Sequence, residues 1–406
     1  MREGPLRVAL AGVAGHGAAH ARRFLQMQAT GSVRVVAFAE PAPERRPEVV
    51  RELSDAGAIR YDDLSHVPDG AGVEAVVIAT PIHLHHPMTL HALARGWHVL
   101  LEKPAAPTPQ ELAEMLAARR RSGRIVAVNF QHTARPGFRQ LLALVRVGAI
   151  GPVQRVIGRG LWLRDAAYYA RSWAGRLRVD GRWVLDGTLM NPFAHLVNQA
   201  LIVASPDLDR PAAPVAVTAE LYHANPIESE DTACARILTR EGVEILIYTT
   251  LTFAGQRLPS LEVQGSEGTA RWDYQDRVTL VGRHGESRPL PTLPAGPDVA
   301  DNFVAAVRGE PVALYSPLSH SVSHVLVAAG AFLSCWPPSP IPDALRERVR
   351  TPQGTLAWAV PEIDRWIDVA SSRHALFSEA GVPWARAGVT VGLERLQSFA
   401  PPGEGR

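Results

Sequence analysis

The fold is decided by Leu6-Arg7-Val8-Ala9-Leu10-Ala11 running into Gly12-Val13-Ala14-Gly15-His16-Gly17. Apolar at every position but one, the first six residues read as a strand buried on both faces, the mark of a parallel sheet covered by helices. The turn that follows carries small residues at Gly12, Ala14 and Gly17, with Gly15 extra, and opens a helix near His16. Small residues let backbone N–H groups approach a pyrophosphate, whose charge then sits at the positive end of that helix.

Outward from this turn, a second apolar run over 33–39 ends in Glu40. An acid about 20 residues past the last glycine is placed to accept hydrogen bonds from a ribose diol. Arg45 and Arg46 follow, and they are suited to a 2′-phosphate instead. The expected cofactor is NAD, with NADP as the alternative. Apolar strands at 75–79, 98–101 and 125–128 alternate with helices, one of them over 109–121. Alternation of this kind predicts a Rossmann domain over 1–128 with a doubly wound parallel sheet.

Two further stretches carry chemistry. One is Thr80-Pro81-Ile82-His83-Leu84-His85, and the other is Val99-Leu100-Leu101-Glu102-Lys103-Pro104. Pro104 removes a ladder donor and biases Lys103 toward an extended backbone. The Lys103 amine is thereby held at a strand's C-terminal end, where open α/β sheets bind ligands and where an oriented amine can move a proton. His83, His85 and His86 lack a Cys or acid at matching spacing, so no metal is expected.

With 46% apolar and 20% charged residues among 406, the composition is that of a packed soluble protein. A net charge of +2 gives no basis for nucleic-acid or membrane partners. No apolar run reaches the roughly 18–20 residues of a membrane span. The N-terminus moves straight into a strand, without a signal-peptide core. Cys234 and Cys335 make no disulfide framework, and a reducing cytoplasm is the expected compartment.

Laid out this way, the chain resembles the glucose–fructose oxidoreductase / inositol dehydrogenase (Gfo/Idh/MocA) family over about residues 6–335. The resemblance rests on Gly17-Ala18-Ala19-His20, Thr80-Pro81 with His85, Ala92-Leu93-Ala94-Arg95-Gly96-Trp97-His98-Val99 and Glu102-Lys103-Pro104. It continues through Gly148-Ala149-Ile150-Gly151-Pro152-Val153 and Gly187-Thr188-Leu189-Met190-Asn191-Pro192-Phe193-Ala194-His195-Leu196-Val197-Asn198.

The resemblance implies that the Rossmann domain is followed, over 129–345, by an α+β substrate and oligomerisation domain with a large, open, mostly antiparallel sheet. Strand-like segments at 153–163, 215–222, 231–239, 243–252 and 261–264 agree with it. It also implies an enzyme that moves hydride between a nicotinamide and a secondary alcohol of a sugar, inositol or related polyol. Lys103 and His195 would handle the proton, and Asn191 stands where the family has Asp. An amide can hydrogen-bond a hydroxyl but cannot carry a proton. Pro192 suits a helix's first turn, which gives Asn191 a second reading as a structural N-cap.

On this reading the cofactor meets Gly12, Ala14, Gly15, His16, Gly17, Glu40, Thr80, Pro81, His85, Glu102 and Lys103. The substrate meets Lys103, His132, Arg135, Trp162, Asn191 and His195. The stretch from Trp162 to Trp173 interleaves rings with Arg164 and Arg171, which suits sugars and subunit interfaces alike. Two alternatives stay open: a redox-neutral lyase, hydrolase or epimerase using tightly held NAD, and a non-catalytic dinucleotide-binding regulator.

Residues 346–406 read as a helical extension that packs Trp358, Trp366 and Trp384, with 401–406 disordered. One uncovered sheet face plus this Trp-bearing tail predicts face-to-face association into a homodimer or homotetramer.

Overall fold

The apolar runs form two large sheets in the computed structural model, which describes residues 4–403. The chain divides into two compact units. The first holds the stretch up to Ala106, then Glu111–Gln131 and Pro297–Ser321. Its sheet contains β1 (Leu6–Ala11), β2 (Val33–Ala39), β3 (Ile59–Tyr61), β4 (Ala75–Ile78), β5 (His98–Leu101) and β6 (Val126–Val128). All pairings are parallel, in the order β3-β2-β1-β4-β5-β6. In this doubly wound order the winding reverses between β1 and β4, and ligands bind outside the strand C-termini at such a point. The edge strand β3 went unseen in the sequence, because its three residues alternate Ile-Arg-Tyr and Ile59 is left exposed.

Residues 297–321, expected in the second domain, pack with the first unit instead. Asp298 caps the helix Val299–Val307 in a capping box with Asp301, and both carboxylates take the Arg23 guanidinium from the helix His16–Ala29. Further on, the Ser316 carbonyl accepts the Val128 N–H at 2.8 Å, so this segment extends the sheet at β6. Which sheet this segment joins depends on these long-range bonds, which no local sequence pattern carries.

The second unit begins its large sheet with β7 (Val153–Leu161). A small hairpin, β8 (Arg178–Val179) with β9 (Arg182–Trp183), stands off it. The main strands follow: β10 (Pro214–His223), β11 (Thr232–Thr239), β12 (Glu244–Thr250), β13 (Ser260–Gly265), β14 (Gly268–Asp273), β15 (Val278–Gly282) and β16 (Ser287–Pro289). With β17 (Ser339–Pro340) the order is β16-β15-β14-β13-β7-β12-β11-β10-β17. Pairings are antiparallel except β7 with β12 and β10 with β17.

Strict alternation sends the central strands to two cores. Val217, Ala219, Leu221, Ala233, Ala235, Ile237, Ile245 and Ile247 face one, with Leu196 and Phe332 from the helices Ala194–Val203 and Ser321–Ser334. Tyr222, Cys234, Leu246 and Tyr248 face the other, under Ile363, Ile367, Phe377 and Trp384 of the tail. On the face where association was expected, the tail therefore packs over β7, β10, β11 and β12.

The tail is also less helical than its pattern suggested. Pro352, Gly354, Pro361, Gly381 and Pro383 punctuate it. It forms the hairpin β18 (Glu347–Arg350) with β19 (Leu356–Ala359), a single helix Ile363–Ser372 and the short strand β20 (Val391–Gly392), which pairs with β10. Phe399 packs edge-on against Trp183, and Pro401 is buried, so the expected disorder does not begin at 401. Residues 404–406 lie outside the described residues.

Candidate active site

In the first unit the glycine turn is shaped by two close approaches. Gly12 has φ 79°, and a Cβ there would lie 2.6 Å from the Ala79 carbonyl oxygen. At Gly17 a Cβ would lie 2.1 Å from the Gly12 carbonyl oxygen. Only glycine fits these positions, so the turn closes tightly on β4 and leaves the N-terminus of the helix His16–Ala29 with no acidic residue in its first turn. Such a bare positive end fits a pyrophosphate. Gly15 and His16 sit exposed at its mouth, and Ala14 is half-buried.

Glu40 is buried at the end of β2, as expected. Its Oε2 accepts the Val13 N–H at 3.0 Å and its Oε1 accepts the Ala42 N–H at 3.0 Å. A carboxylate has about four acceptor sites, so two backbone bonds leave room for a ribose diol. Arg45 and Arg46 are exposed, and Arg46 lies 3.5 Å from Glu48. The guanidinium that reaches this corner is Arg60, which donates to the Glu40 carbonyl at 3.1 Å. Sequence spacing did not point to it, because it belongs to the short edge strand.

The Lys103 turn has a buried frame. Glu102 Oε1 lies 2.8 Å from His20 Nε2 and accepts the Asn129 amide at 2.7 Å. Its Oε2 accepts the backbone N–H of Lys103 at 3.1 Å. Burial opposes ionisation of Glu102, but the His20 hydrogen bond, with the charges of His20, Lys103 and His16, holds its pKa down to about 2. His85 is buried, with Nδ1 2.7 Å from the Pro104 carbonyl and Nε2 2.9 Å from that of Thr80. Burial pushes its pKa down. His85 thus braces the Thr80-Pro81 turn against the Lys103-Pro104 turn, a positioning task in place of the cofactor contact assigned to it. Thr80 Oγ1 is directed at the Met88 sulfur, and Pro81 begins the helix Ile82–Ala94.

The Glu102 frame sets an acid limit on stability. Its folded pKa is depressed, so the unfolded chain holds the proton more tightly and protonation favours unfolding. The contribution is complete above the ordinary value of 4.5 and is lost as pH falls to about 2. Glu102→Gln is expected to narrow the stability gap to the unmodified chain across that window, by about 3 kcal/mol at most. Urea melts at pH 6, 4 and 3 check this; a gap independent of pH would remove Glu102 from the acid response.

In the second unit, Asn191 is not a cap. The helix Ala194–Val203 starts one turn later, with Phe193 at its N-cap and no side-chain cap bond. The Asn191 amide instead donates to Asp186 Oδ1 at 2.7 Å, and Asp186 Oδ2 accepts the Gly175 N–H at 2.7 Å. Both side chains are buried. A carboxylate therefore stands beside Asn191, five residues upstream.

His195, in the first turn of that helix, stacks on His132 with ring centres 4.2 Å apart, and Tyr274 meets His132 edge-on at 4.4 Å. Trp162 lies against Phe193 at 4.4 Å. Of the expected substrate residues in this unit, His132, Trp162, Asn191 and His195 thus gather around one helix start. Arg135 does not join them. Its guanidinium is bound to Asp276 at 2.9 Å and to the Tyr274 carbonyl at 2.8 Å, which fixes the loop under Tyr274. Arg164 and Arg171 stack within the chain on Trp162, Tyr168 and Trp173, so those ring faces are partly taken.

Asp186, Glu230, His20 and Asn129 were missing from the expected set. Glu230 is buried, accepts from Ser229 Oγ at 2.8 Å and contacts Thr188. Burial first, with Asp186 adding to it, pushes its pKa up to about 8 against the opposing hydrogen bonds of Ser229 and nearby N–H groups. The adjacent acids Glu230-Asp231 at the mouth of an apolar strand were the available signal. Among the described residues no group of His, Cys, Asp and Glu is arranged to hold a metal ion. No helix among them is long and apolar enough to cross a membrane.

A glycine cradle at a helix start, an acid closing β2 and a doubly wound sheet define a dinucleotide-binding Rossmann unit, here followed by a unit built on a mixed sheet. Residues 6–130 match the family model described as "Oxidoreductase family, NAD-binding Rossmann fold", and residues 138–271 match the Gfo/Idh/MocA C-terminal domain. Together these matches take in more than half of the chain, which belongs to the Gfo/Idh/MocA oxidoreductase family.

Inositol 2-dehydrogenase of Streptomyces avermitilis is 37% identical over 147 residues, covering 36% of this chain and 42% of that protein. The chain thus spans about two fifths of the length of the first curated relatives it matches. Inositol 2-dehydrogenase of Rubrobacter xylanophilus is 28% identical over 306 residues, 75% of this chain and 76% of that one. The solved structure of levoglucosan dehydrogenase in complex with NADH shares the fold, with TM-score 0.68 and 21% identity over 80% of this chain and 96% of that one.

Proposed function

We propose that this protein is a nicotinamide-dependent dehydrogenase acting on a secondary alcohol of a sugar, inositol or related polyol. The observation that carries the reading is Lys103, held at the C-terminal end of β5 by the Glu102, His20 and Asn129 frame in the unit that carries the glycine cradle. Names of relatives such as inositol 2-dehydrogenase support the substrate class.

When bound, the nicotinamide supplies the hydride acceptor. Lys103 Nζ, in its neutral form, takes the hydroxyl proton as the carbinol carbon gives up its hydride. His195, with an imidazole suited to proton exchange near neutrality, assists, and His132 stacked on it fixes the ring plane. Asn191, held by Asp186, orients a substrate hydroxyl without carrying a proton. Cys234 and Cys335 are both free thiols, which supports a reducing cytoplasm as the compartment.

A screen of inositols, glucosides and anhydrosugars with NAD, followed by nicotinamide absorbance, tests the reading. Turnover with net NADH is expected. Product without net NADH would favour redox-neutral chemistry, and no turnover with intact NAD binding would favour a regulator.

The cofactor choice is tested separately. A 2′-phosphate at a ribose held by Glu40 would meet like charge, so NAD is expected to bind more tightly than NADP. Glu40→Ala is expected to erase most of that preference in calorimetry and to weaken both ligands, since the Val13 N–H loses its acceptor. Tighter NADP binding by the unmodified chain would shift the assignment to Arg60.

A further inference from the structure

The tail builds a cavity that the reading above does not use. In the second unit a pocket of about 490 Å³ is walled on one side by the β18–β19 hairpin, carrying Arg348, Leu356 and Trp358. The other side is the short helix Ala166–Tyr169 with segments 174–176 and 225–228. Its volume falls in the range of small-molecule sites, roughly 300–1,000 Å³.

Both walls are set by one residue. Asp165 accepts the Tyr168 N–H at 3.0 Å and so caps the helix that carries Tyr169. Its other oxygen accepts the Thr355 hydroxyl at 2.5 Å, and its backbone bridges to Ala357 of the hairpin.

The lining states what would bind. Arg176 is neutralised by Glu228. Arg348 meets no carboxylate among the described residues; its guanidinium lies over the Trp358 ring at 4.2 Å, and that of Arg346 lies over the same ring at 4.4 Å. Among the lining cations Arg348 is therefore the one with no ion-pair partner among the described residues. Leu356, 43% exposed, and Ile227 offer apolar surface.

We propose that this pocket binds a sugar acid, a pyranose ring bearing one carboxylate. The carboxylate pairs with Arg348, and the C–H face of the ring lies against Leu356 and Ile227. Gly175 in the pocket wall donates to Asp186, which holds Asn191, so the pocket adjoins the substrate residues of this unit. The proposal does not rest on hydride transfer.

Calorimetry on the full chain without cofactor tests it, with D-glucuronate as probe and D-glucose and acetate as controls. Glucuronate is expected to bind at least about tenfold more tightly than either control, the scale of one charge-assisted hydrogen-bonded pair. Arg348→Gln, on an exposed hairpin, is expected to remove that advantage while NAD affinity and melting temperature hold. Leu356→Ser is expected to weaken glucuronate and leave acetate unchanged.

Equal binding of glucose would overturn the role of the cation, and equal binding of acetate would overturn the ring. No binding at all, or glucuronate affinity unaltered in Arg348→Gln, would overturn the site. Because no nicotinamide is present, any of these results leaves the dehydrogenase reading untouched, and failure of the turnover screen leaves this one untouched.

Discussion

Lys103→Met is expected to lower kcat about 10²–10⁴-fold, the usual loss on removing a general base, with NAD affinity little changed. The separation follows from how the frame is bonded. Glu102 Oε2 holds the main-chain N–H of Lys103, and His20 and Asn129 hold Oε1, so the turn keeps its bonds when the amine is gone. Methionine retains an unbranched stem of similar volume, and stability should fall within the range of ordinary half-buried substitutions, about 1 kcal/mol. Steady-state turnover on the substrate found by absorbance, with calorimetry for NAD, measures both sides. The pH profile of kcat/KM adds a readout that a purely structural role would not move, since the fall in rate toward low pH that protonation of the amine imposes should disappear with it. Unchanged turnover would take the proton away from Lys103 and bring the non-catalytic reading forward.

Local signals explain what was legible beforehand. β1 and its glycine turn are contiguous in sequence, so an apolar run and three small residues sufficed to place them. Glu102-Lys103-Pro104 is equally local. The frame around it is not: His20 and Asn129 reach Glu102 from 82 and 27 residues away. Asp186 escaped for a related reason, because a bend after β9 returns it to Asn191, and no helical or strand period links residues five apart there. In the tail, Trp358, Trp366 and Trp384 were expected to be packed by a helical extension. Pro and Gly divide them among a hairpin, a helix and a turn, and their common feature is packing against the core that the tail shares with β7, β10, β11 and β12.

The family's Asp position tests how far that local rearrangement matters. Asn191→Asp would restore the usual residue type, and if Asn191 were an N-cap the exchange would be nearly neutral, since Asn and Asp cap about equally. The structure leads to a different result. Asn191 is a donor to Asp186 at 2.7 Å in a buried site, so the exchange removes the donor and sets two carboxyl groups at contact distance. The lost hydrogen bond to a charged group costs about 1.5–3 kcal/mol. To avoid two adjacent charges the pair must also retain one proton, which raises its upper apparent pKa. The folded variant then binds that proton more tightly than the unfolded chain, so the penalty grows as pH rises. Urea melts are expected to show a deficit of about 2–4 kcal/mol at pH 8 and a smaller one at pH 5. A deficit near zero at both pH values would mean that Asp186 does not depend on the amide. A deficit with the expected slope, together with lowered turnover, would show that in this chain the carboxylate and the amide act as one unit, and that the family's Asp cannot be returned to position 191 while Asp186 remains.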